Sequence, residues 1–271
     1  MTLETGQRAT ETSQDAVQDT TRDAFLGGAV WLNQPRKGYR AGLDAVLLAA
    51  TVAPRTTAEQ TKRIADLGAG AGAVGLCVAG RIGDATVDMV ERDAALANLA
   101  RRNIAENACA SRVRLLEGDV RNGVTGSGLQ NDLYDHVLAN PPYFVDDASR
   151  ASTLATKAAS HVWAAGDLES WARCMARIAK PGGTVTLIHP AESLADWLNA
   201  LTGRFGAFQV VPIHARPGTN ALRVLIRAQK SSRAGLLMRP PVILHGEQGD
   251  GFRPEVDRVL KQPAALDVWS D

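Results

Sequence analysis

From Lys62 onward, short apolar runs alternate with longer stretches of helical period. Arg63-Ile-Ala-Asp-Leu67, Ala85–Val90, Val113–Leu116, Tyr134–Ala139 and Thr184–Ile188 read as buried strands. A segment running to about Ala79, then Ala94–Asn107, Leu168–Ile178 and Ser193–Leu201 read as helices, and Lys180-Pro-Gly-Gly183 is a strong helix-stop signal. Strands that alternate with helices predict a mostly parallel sheet covered on both faces. Two final strands, Phe208–Ile213 and Leu222–Ala228, have only a loop around Ala215–Thr219 between them, so they predict an antiparallel hairpin and one reversed strand. The chain shows no internal repeat.

The flanks differ in pattern. Residues 1–22 are polar and read as a disordered leader, with order expected to begin near Asp23 at Phe25, Leu26, Val30 and Trp31. Residues 23–61 read as a cap segment. It holds a short strand over Ala29–Asn33, a loop from Gln34 to Gly42, and a helix Ala45–Ala50 for which Asp44 stands where an N-cap would. Residues 62–230 form the main α/β domain in this reading. Residues 231–271, with Pro240-Pro241 and several glycines, read as a C-terminal wrap rather than a second domain.

Composition narrows the class little. Hydrophobic residues make up 45% of the 271, enough for a full core, and a net charge of +1 neither favours nor excludes a nucleic-acid partner. Any RNA contact therefore requires positive charge gathered on one face. The three cysteines, Cys77, Cys109 and Cys174, form no CxxC and point to no disulfide framework, which fits a reducing compartment. With no signal-peptide pattern and no apolar run of membrane-span length, a cytoplasmic location is the expectation.

The first candidate for chemistry is Asp66-Leu-Gly68-Ala-Gly70-Ala-Gly72, at the end of the first strand of the main domain. Alternating glycines let the backbone turn tightly and approach a ligand, with the next helix directing its free N–H groups there. Strand two ends about twenty residues on at Glu91, where nucleoside-binding folds place an acceptor for ribose hydroxyls. Strand three ends at Glu117-Gly-Asp119, and Asp119 is placed to accept from an adenine amino group. Gly70-Ala-Gly72-Ala-Val-Gly75 also spells a dinucleotide fingerprint, but Asp66 ahead of it repels a pyrophosphate and favours an amino-bearing ligand.

The more specific signal is Asn140-Pro141-Pro142-Tyr143, after strand four. An exocyclic amine is a poor nucleophile because its lone pair is delocalised into the ring. Two acceptors, the Asn140 side-chain oxygen and the Pro141 carbonyl, would grip both N–H bonds and free that lone pair. The prolines fix φ and hold the acceptors rigidly, while Tyr143 offers a flat face for stacking. An adenine would have to be unstacked or single-stranded to enter.

Together, Asp66, Gly68, Gly70, Gly72, Glu91, Asp119 and Asn140-Pro-Pro-Tyr143 resemble the class I methyltransferases with an (N/D)PP(Y/F) motif. Upstream, Asp23-Ala-Phe-Leu-Gly-Gly28, Gln34-Pro-Arg36, Gly38-Tyr-Arg40 and Asp44–Ala50 resemble the bacterial tRNA adenine-N6-methyltransferases that act beside the anticodon. The likeness spans most of 23–245. It implies a Rossmann-like seven-stranded sheet with a reversed last strand, S-adenosyl-L-methionine as cofactor, and an RNA substrate. It further implies Glu91 on the ribose, Asp119 near the adenine, Arg40 near the methionine carboxylate, and Asp44 at the start of a helix that helps close the pocket.

Rival readings use the same residues. Protein glutamine N5-methylation shares the motif, but that family carries a helical N-terminal domain which the short segment before Asp44 is expected not to hold. Guanine-N2 methylation of ribosomal RNA, a small-molecule acceptor and a non-enzymatic cofactor-binding module are the others. Two basic groups, Arg36, Lys37 and Arg40 with Tyr39, and Arg227, Lys230, Arg233 and Arg239, read either as RNA-facing or as solvated charge. The five histidines show no metal-ligand spacing, and no metal is expected. Asp146-Asp147 reads as a solvated acidic loop, Trp163 and Trp171 read as core, His161 as a candidate for the substrate mouth, and 144–166 as a candidate lid.

Overall fold

A computed structural model describes residues 19–38, 40–53, 62–142 and 167–270. Its main sheet contains β3 (Lys62–Leu67), β4 (Ala85–Glu91), β5 (Val113–Glu117), β6 (Tyr134–Ala139), β7 (Ala179–Pro190), β8 (Phe205–His214) and β9 (Ala221–Lys230). The spatial order is β5-β4-β3-β6-β7-β9-β8, extended by two two-residue strands, β10 (Leu237–Met238) and β11 (Val242–Ile243), that both pair with β8. All pairings are parallel except those of β9, which runs against β7 and β8. The reversed strand is therefore the last of the seven long ones.

After β5 the chain crosses to the other side of β3, so the strand order switches between β3 and β6. In open α/β sheets this switch leaves a crevice over the carboxyl ends of the strands. Helices α1 (Leu43–Ala50), α2 (Ala73–Arg81) and α3 (Ala94–Glu106) share one core with the amino-terminal hairpin, while α5 (Asp167–Ile178) and α6 (Leu194–Leu201) pack in the second core on the other face. The short α4 (Gly123–Ser127) lies beside α5.

Four features depart from the sequence reading. Order does not begin at Asp23: β1 (Thr20–Phe25) pairs with β2 (Val30–Pro35) as an antiparallel hairpin, three residues inside the expected leader. Its outer positions are polar, which hides the strand, and only Phe25, Leu26, Val30 and Leu32 reach the core. Asp44 is not the N-cap of α1; Gly42 is, without a side-chain bond, and Asp44 sits in the first turn and pairs with Arg223 at 3.0 Å. Lys180-Pro-Gly-Gly183 does follow a helix, but the chain starts pairing at Ala179 and loops these residues out as a bulge between the Tyr134–Ala179 and His136–Thr184 partners. The C-terminal wrap holds a helix that the sequence reading lacks, α7 (Pro254–Lys261).

Proline at the first turn, acids early and bases late suit the α7 dipole. Val256 and Val259 are fully buried on it and join the core that contains α1. Below α7, the tail bonds to the end of α1: the Leu266 amide donates to the Ala50 carbonyl at 2.9 Å, and the Trp269 indole to Thr51 at 3.2 Å. None of the described helices is long and apolar enough to cross a membrane.

Candidate active site

The glycine turn is built from the end of β3. Gly68, Gly70 and Gly72 have φ of +68°, +57° and +95°, which an L side chain rarely adopts. Gly68 also has no room: a Cβ there would stand 2.8 Å from the ring of Trp171, which packs beneath the turn. A Cβ on Gly70 would meet nothing, so that glycine borders open space. This is the open cradle that a ligand brought against backbone requires.

Asp66 plays a different part from the one its position suggests. Its carboxyl is 1% exposed, and Oδ2 accepts from the Gly75 amide at 2.9 Å, in the first turn of α2. Burial pushes this carboxyl up to about 7, opposed by the Gly75 bond and reinforced by the nearby Glu91. It therefore ties strand to helix and is not among the cleft-lining residues, and it takes one of the amides expected to point outward. Glu91, at the end of β4, sits just behind the turn. Its Oε2 accepts from Gly70 at 2.8 Å, and its Oε1 accepts from the Arg92 and Asp93 amides at 2.8 Å each. A carboxylate has about four acceptor positions, so capacity for a hydroxyl donor remains.

Asp119 lies on the same sheet edge, since Glu91 and Glu117 are register partners on β4 and β5. Its oxygens accept from the Arg121 guanidinium and amide, and Arg92 stands 3.5 Å away. The Arg121 hydrogen bond holds its carboxyl below the usual range. It is ionised and can only accept, and at present it accepts from arginine.

A narrow cleft runs along the turn. One wall is Gly68, Ala69, Gly70 and Ala71; the other is Gln34, Pro35 and Ala41 from the hairpin and the loop after it. Ala45, Ala73, Val74 and Leu96 line it from α1, α2 and α3, and Asn140 lines its far end. The structure thus brings Asn140 to the glycine turn across the switch point, as expected. Pro141 is buried. The next carbonyl, that of Pro142, accepts from His189 Nε2 at 3.4 Å. His189 is fully buried against Trp197, and that burial pushes its pKa down to about 4, so it is neutral at pH 7 and able to donate.

Arg40 is not among the cleft-lining residues. Its guanidinium donates to Thr21 at 2.7 Å, to the Pro35 carbonyl at 2.8 Å and to Asp23 at 2.5 Å. It braces the hairpin whose end forms a cleft wall. Asp44 stands on the first turn of α1, one residue before the cleft-lining Ala45. Tyr143, His161, Asp146-Asp147, Trp163 and the 144–166 lid fall outside the described residues, as does Tyr39. Gln34, 2% exposed, belongs to the Gln34-Pro-Arg36 tract of the resemblance but carries no site role in the sequence reading; its amide both donates to and accepts from Ala41 and also donates to Asp23.

Most side chains of the two basic groups have partners among the described residues. Arg36 pairs with Asp19, and Arg40 with Asp23. Arg227 lies 5.5 Å over the Trp269 ring, Lys230 bonds Asp132 and the Ala179 carbonyl, and Arg239 bonds the Val268 carbonyl. These side chains fasten the tail and the sheet.

The methyltransferase small domain matches residues 43–173. A tRNA1(Val) (adenine(37)-N6)-methyltransferase of Shewanella sp. (strain W3-18-1) is 34% identical over 192 residues, 69% of this chain and 76% of that protein. A protein of the same name from Porphyromonas gingivalis is 27% identical over 235 residues, 85% of this chain and 90% of the other. A solved structure from Agrobacterium tumefaciens, described as a predicted O-methyltransferase, is 36% identical with a TM-score of 0.68, covering 82% of this chain and 98% of that one.

Proposed function

We propose, for a chain that belongs to the bacterial tRNA (adenine-N6)-methyltransferase family, that it methylates the exocyclic N6 of an adenine in tRNA, at or beside the anticodon. It is a methyltransferase that uses S-adenosyl-L-methionine. The bound cofactor supplies an electrophilic methyl group on a sulfonium. The turn at Gly68–Gly72 accommodates it against backbone, and Glu91 offers acceptors to its ribose hydroxyls. Asp119 accepts from its adenine end once Arg121 yields, while Arg40 braces the hairpin from outside the cleft lining and Asp44 stands one residue before the lining Ala45.

Asn140 and Pro141 act on the acceptor. Their two oxygens take the N–H bonds of a flat NH2 group and aim its lone pair at the methyl carbon. Rigid positioning of this kind is worth roughly 7–11 kcal/mol in favourable cases. His189 holds the Pro142 carbonyl and so steadies the strand end from which these oxygens project. Tyr143 stacks on the base. The observation that carries this reading is that Asn140 lines the same cleft as Gly68 and Gly70. A hydroxyl acceptor, as the description of the Agrobacterium protein suggests for that protein, would need a base at the motif. Among the described residues there, Asn140 is none, and His189 is buried with its Nε2 on a carbonyl.

The test is transfer of labelled methyl groups from S-adenosyl-L-methionine to total tRNA, ribosomal RNA and protein extract in parallel, followed by digestion to nucleosides. Label in N6-methyladenosine from tRNA is the expected result. Label confined to protein or to ribosomal guanine would replace this reading with one of its rivals.

A further inference from the structure

Asn103 lies on the buried side of α3, where the pattern Ala97, Ala100 and Ile104 calls for apolar residues, and Asn107 is the C-cap four residues on. Both are buried, Asn103 completely. Each side-chain amide pairs with a residue of β2 on both its N–H and its C=O. Asn107 Oδ1 accepts from the Trp31 amide at 2.9 Å, and its Nδ2 donates to the Trp31 carbonyl at 2.8 Å. Asn103 Oδ1 accepts from the Asn33 amide at 2.8 Å, and its Nδ2 donates to the Asn33 carbonyl at 2.9 Å. The spacing matches because four helical residues rise about 6.0 Å and two strand residues about 6.7 Å. Two side chains thus stand in for the third strand that the free edge of β2 lacks.

The two asparagines differ in two bonds: Asn103 Oδ1 also accepts from the Asn33 side-chain amide at 2.8 Å, and their second N–H groups go to different places. The second N–H of Asn107 returns to its own helix, to the Asn103 carbonyl at 2.6 Å. That of Asn103 crosses to the glycine turn and donates to the Ala71 carbonyl at 2.8 Å. Ala71 lines one wall of the cofactor cleft, and Gln34 and Pro35, next to Asn33 on β2, line the other. A single buried amide is hydrogen-bonded to one wall, at Ala71, and to Asn33, the residue next to the other wall.

We propose that Asn103 is a positioning residue that sets the width of the cofactor cleft, whereas Asn107 serves only to anchor the hairpin. This rests on the cofactor reading and not on the identity of the RNA or the roles of Asn140 and Pro141. Replacing the Asn103 NH2 by oxygen keeps shape and volume but sets an acceptor against the carbonyls of Asn33 and Ala71, which pushes the walls apart. The same exchange at Asn107 disturbs the strand edge alone.

The test compares Asn103→Asp and Asn107→Asp by calorimetric titration with S-adenosylhomocysteine, which needs no RNA. Asn103→Asp should weaken binding about tenfold or more, about 1.4 kcal/mol, and Asn107→Asp by less than about twofold. In turnover, Asn103→Asp should raise KM for S-adenosyl-L-methionine while kcat at saturating cofactor stays within about threefold. Leu201→Ala, a core change on the opposite face, gauges what loss of stability alone does to affinity. If Asn103→Asp does not fold, Asn103→Ser, too short to reach Ala71, is held to the same affinity criterion. Equal losses in the Asn103 and Asn107 variants, or no loss in either, would overturn the proposal.

Discussion

At Asn140 the proposed chemistry reduces to one oxygen. Asn140→Ala removes an acceptor on which the reacting nitrogen depends and leaves the glycine turn and Glu91 untouched. Turnover should fall by at least about 10²-fold, the scale seen when one preorganised hydrogen-bonding group is lost from an active site. Affinity for S-adenosylhomocysteine should stay within about threefold. Loss of cofactor affinity instead would mean that the side chain serves the cofactor and not the acceptor. Asp66 gives a prediction of a different kind. Its folded pKa, raised to about 7 by burial, exceeds the ordinary 3.8, so the native state holds a proton that the unfolded chain has released. That contribution to stability is complete below about pH 4 and is lost as pH rises through about 7. Asp66→Asn keeps an acceptor for the Gly75 amide without the charge, so its melting temperature relative to wild type should climb by several degrees between pH 5 and pH 8. A gap that stays constant with pH would show that Asp66 is ionised throughout. Among site residues the motif-bearing ones were legible, because the glycines, Glu91 and Asn140 stand at strand ends that periodicity locates. The role of Asp66 was not, since its partner, the Gly75 amide, is a backbone group that sequence does not mark. Asn103 was hidden for a related reason: it satisfies main-chain groups of β2 and the turn, and its sole trace is a polar residue on an apolar stripe.

Among the elements, the alternating core was readable from period alone and both peripheral pieces were not. Strands β3 to β7 are apolar runs separated by helices, β8 and β9 form the expected hairpin, and each overlaps its expected place. Strand β1 reads Thr-Thr-Arg-Asp-Ala-Phe, with polar residues outward, and it is a strand because β2 pairs with it and because Phe25 and Leu26 are buried. Helix α7 is two turns long and has two buried valines, too little signal against the prolines and glycines around it. These two pieces meet at Gly27, in the turn between β1 and β2. Gly27 has φ of +66°, and a Cβ on it would stand 2.2 Å from the Lys261 carbonyl oxygen at the end of α7. Backbone cannot move aside as a flexible side chain does. Gly27→Ala should therefore cost at least about 2 kcal/mol, combining positive-φ strain with displacement of α7. Chemical denaturation measures this directly, and a cost under about 0.5 kcal/mol would mean that α7 is not clamped on the turn. Because α7 and the tail bear on α1, whose Ala45 lines the cleft, cofactor affinity in this variant should fall as well.

Over the whole molecule, the proposed cofactor cleft is where several elements meet: the turn after β3, the end of β4, the hairpin, the start of α1 and the strand end at Asn140. A ligand that bridges them binds the native chain and not the unfolded one, so its free energy adds to global stability. At a hundredfold excess over Kd that addition is about 2.7 kcal/mol, which for a domain of this size raises the melting temperature by roughly 5–10 °C. S-adenosylhomocysteine should produce a shift of that order in the wild-type protein. Glu91 decides how much of it survives. Its carboxylate holds the amides of Gly70, Arg92 and Asp93 and is the proposed acceptor for the ribose. Glu91→Ala removes both functions together: the turn loses its support from β4, and the ribose hydroxyls lose their acceptors. The variant should be less stable without ligand, and the same concentration of S-adenosylhomocysteine should raise its melting temperature by less than about a third of the wild-type shift. The two effects are separable, because a purely supporting role would lower the starting temperature while leaving the ligand-induced rise intact. A full-sized rise in Glu91→Ala would place the ribose elsewhere, and with it the direction in which the methyl group points across the cleft.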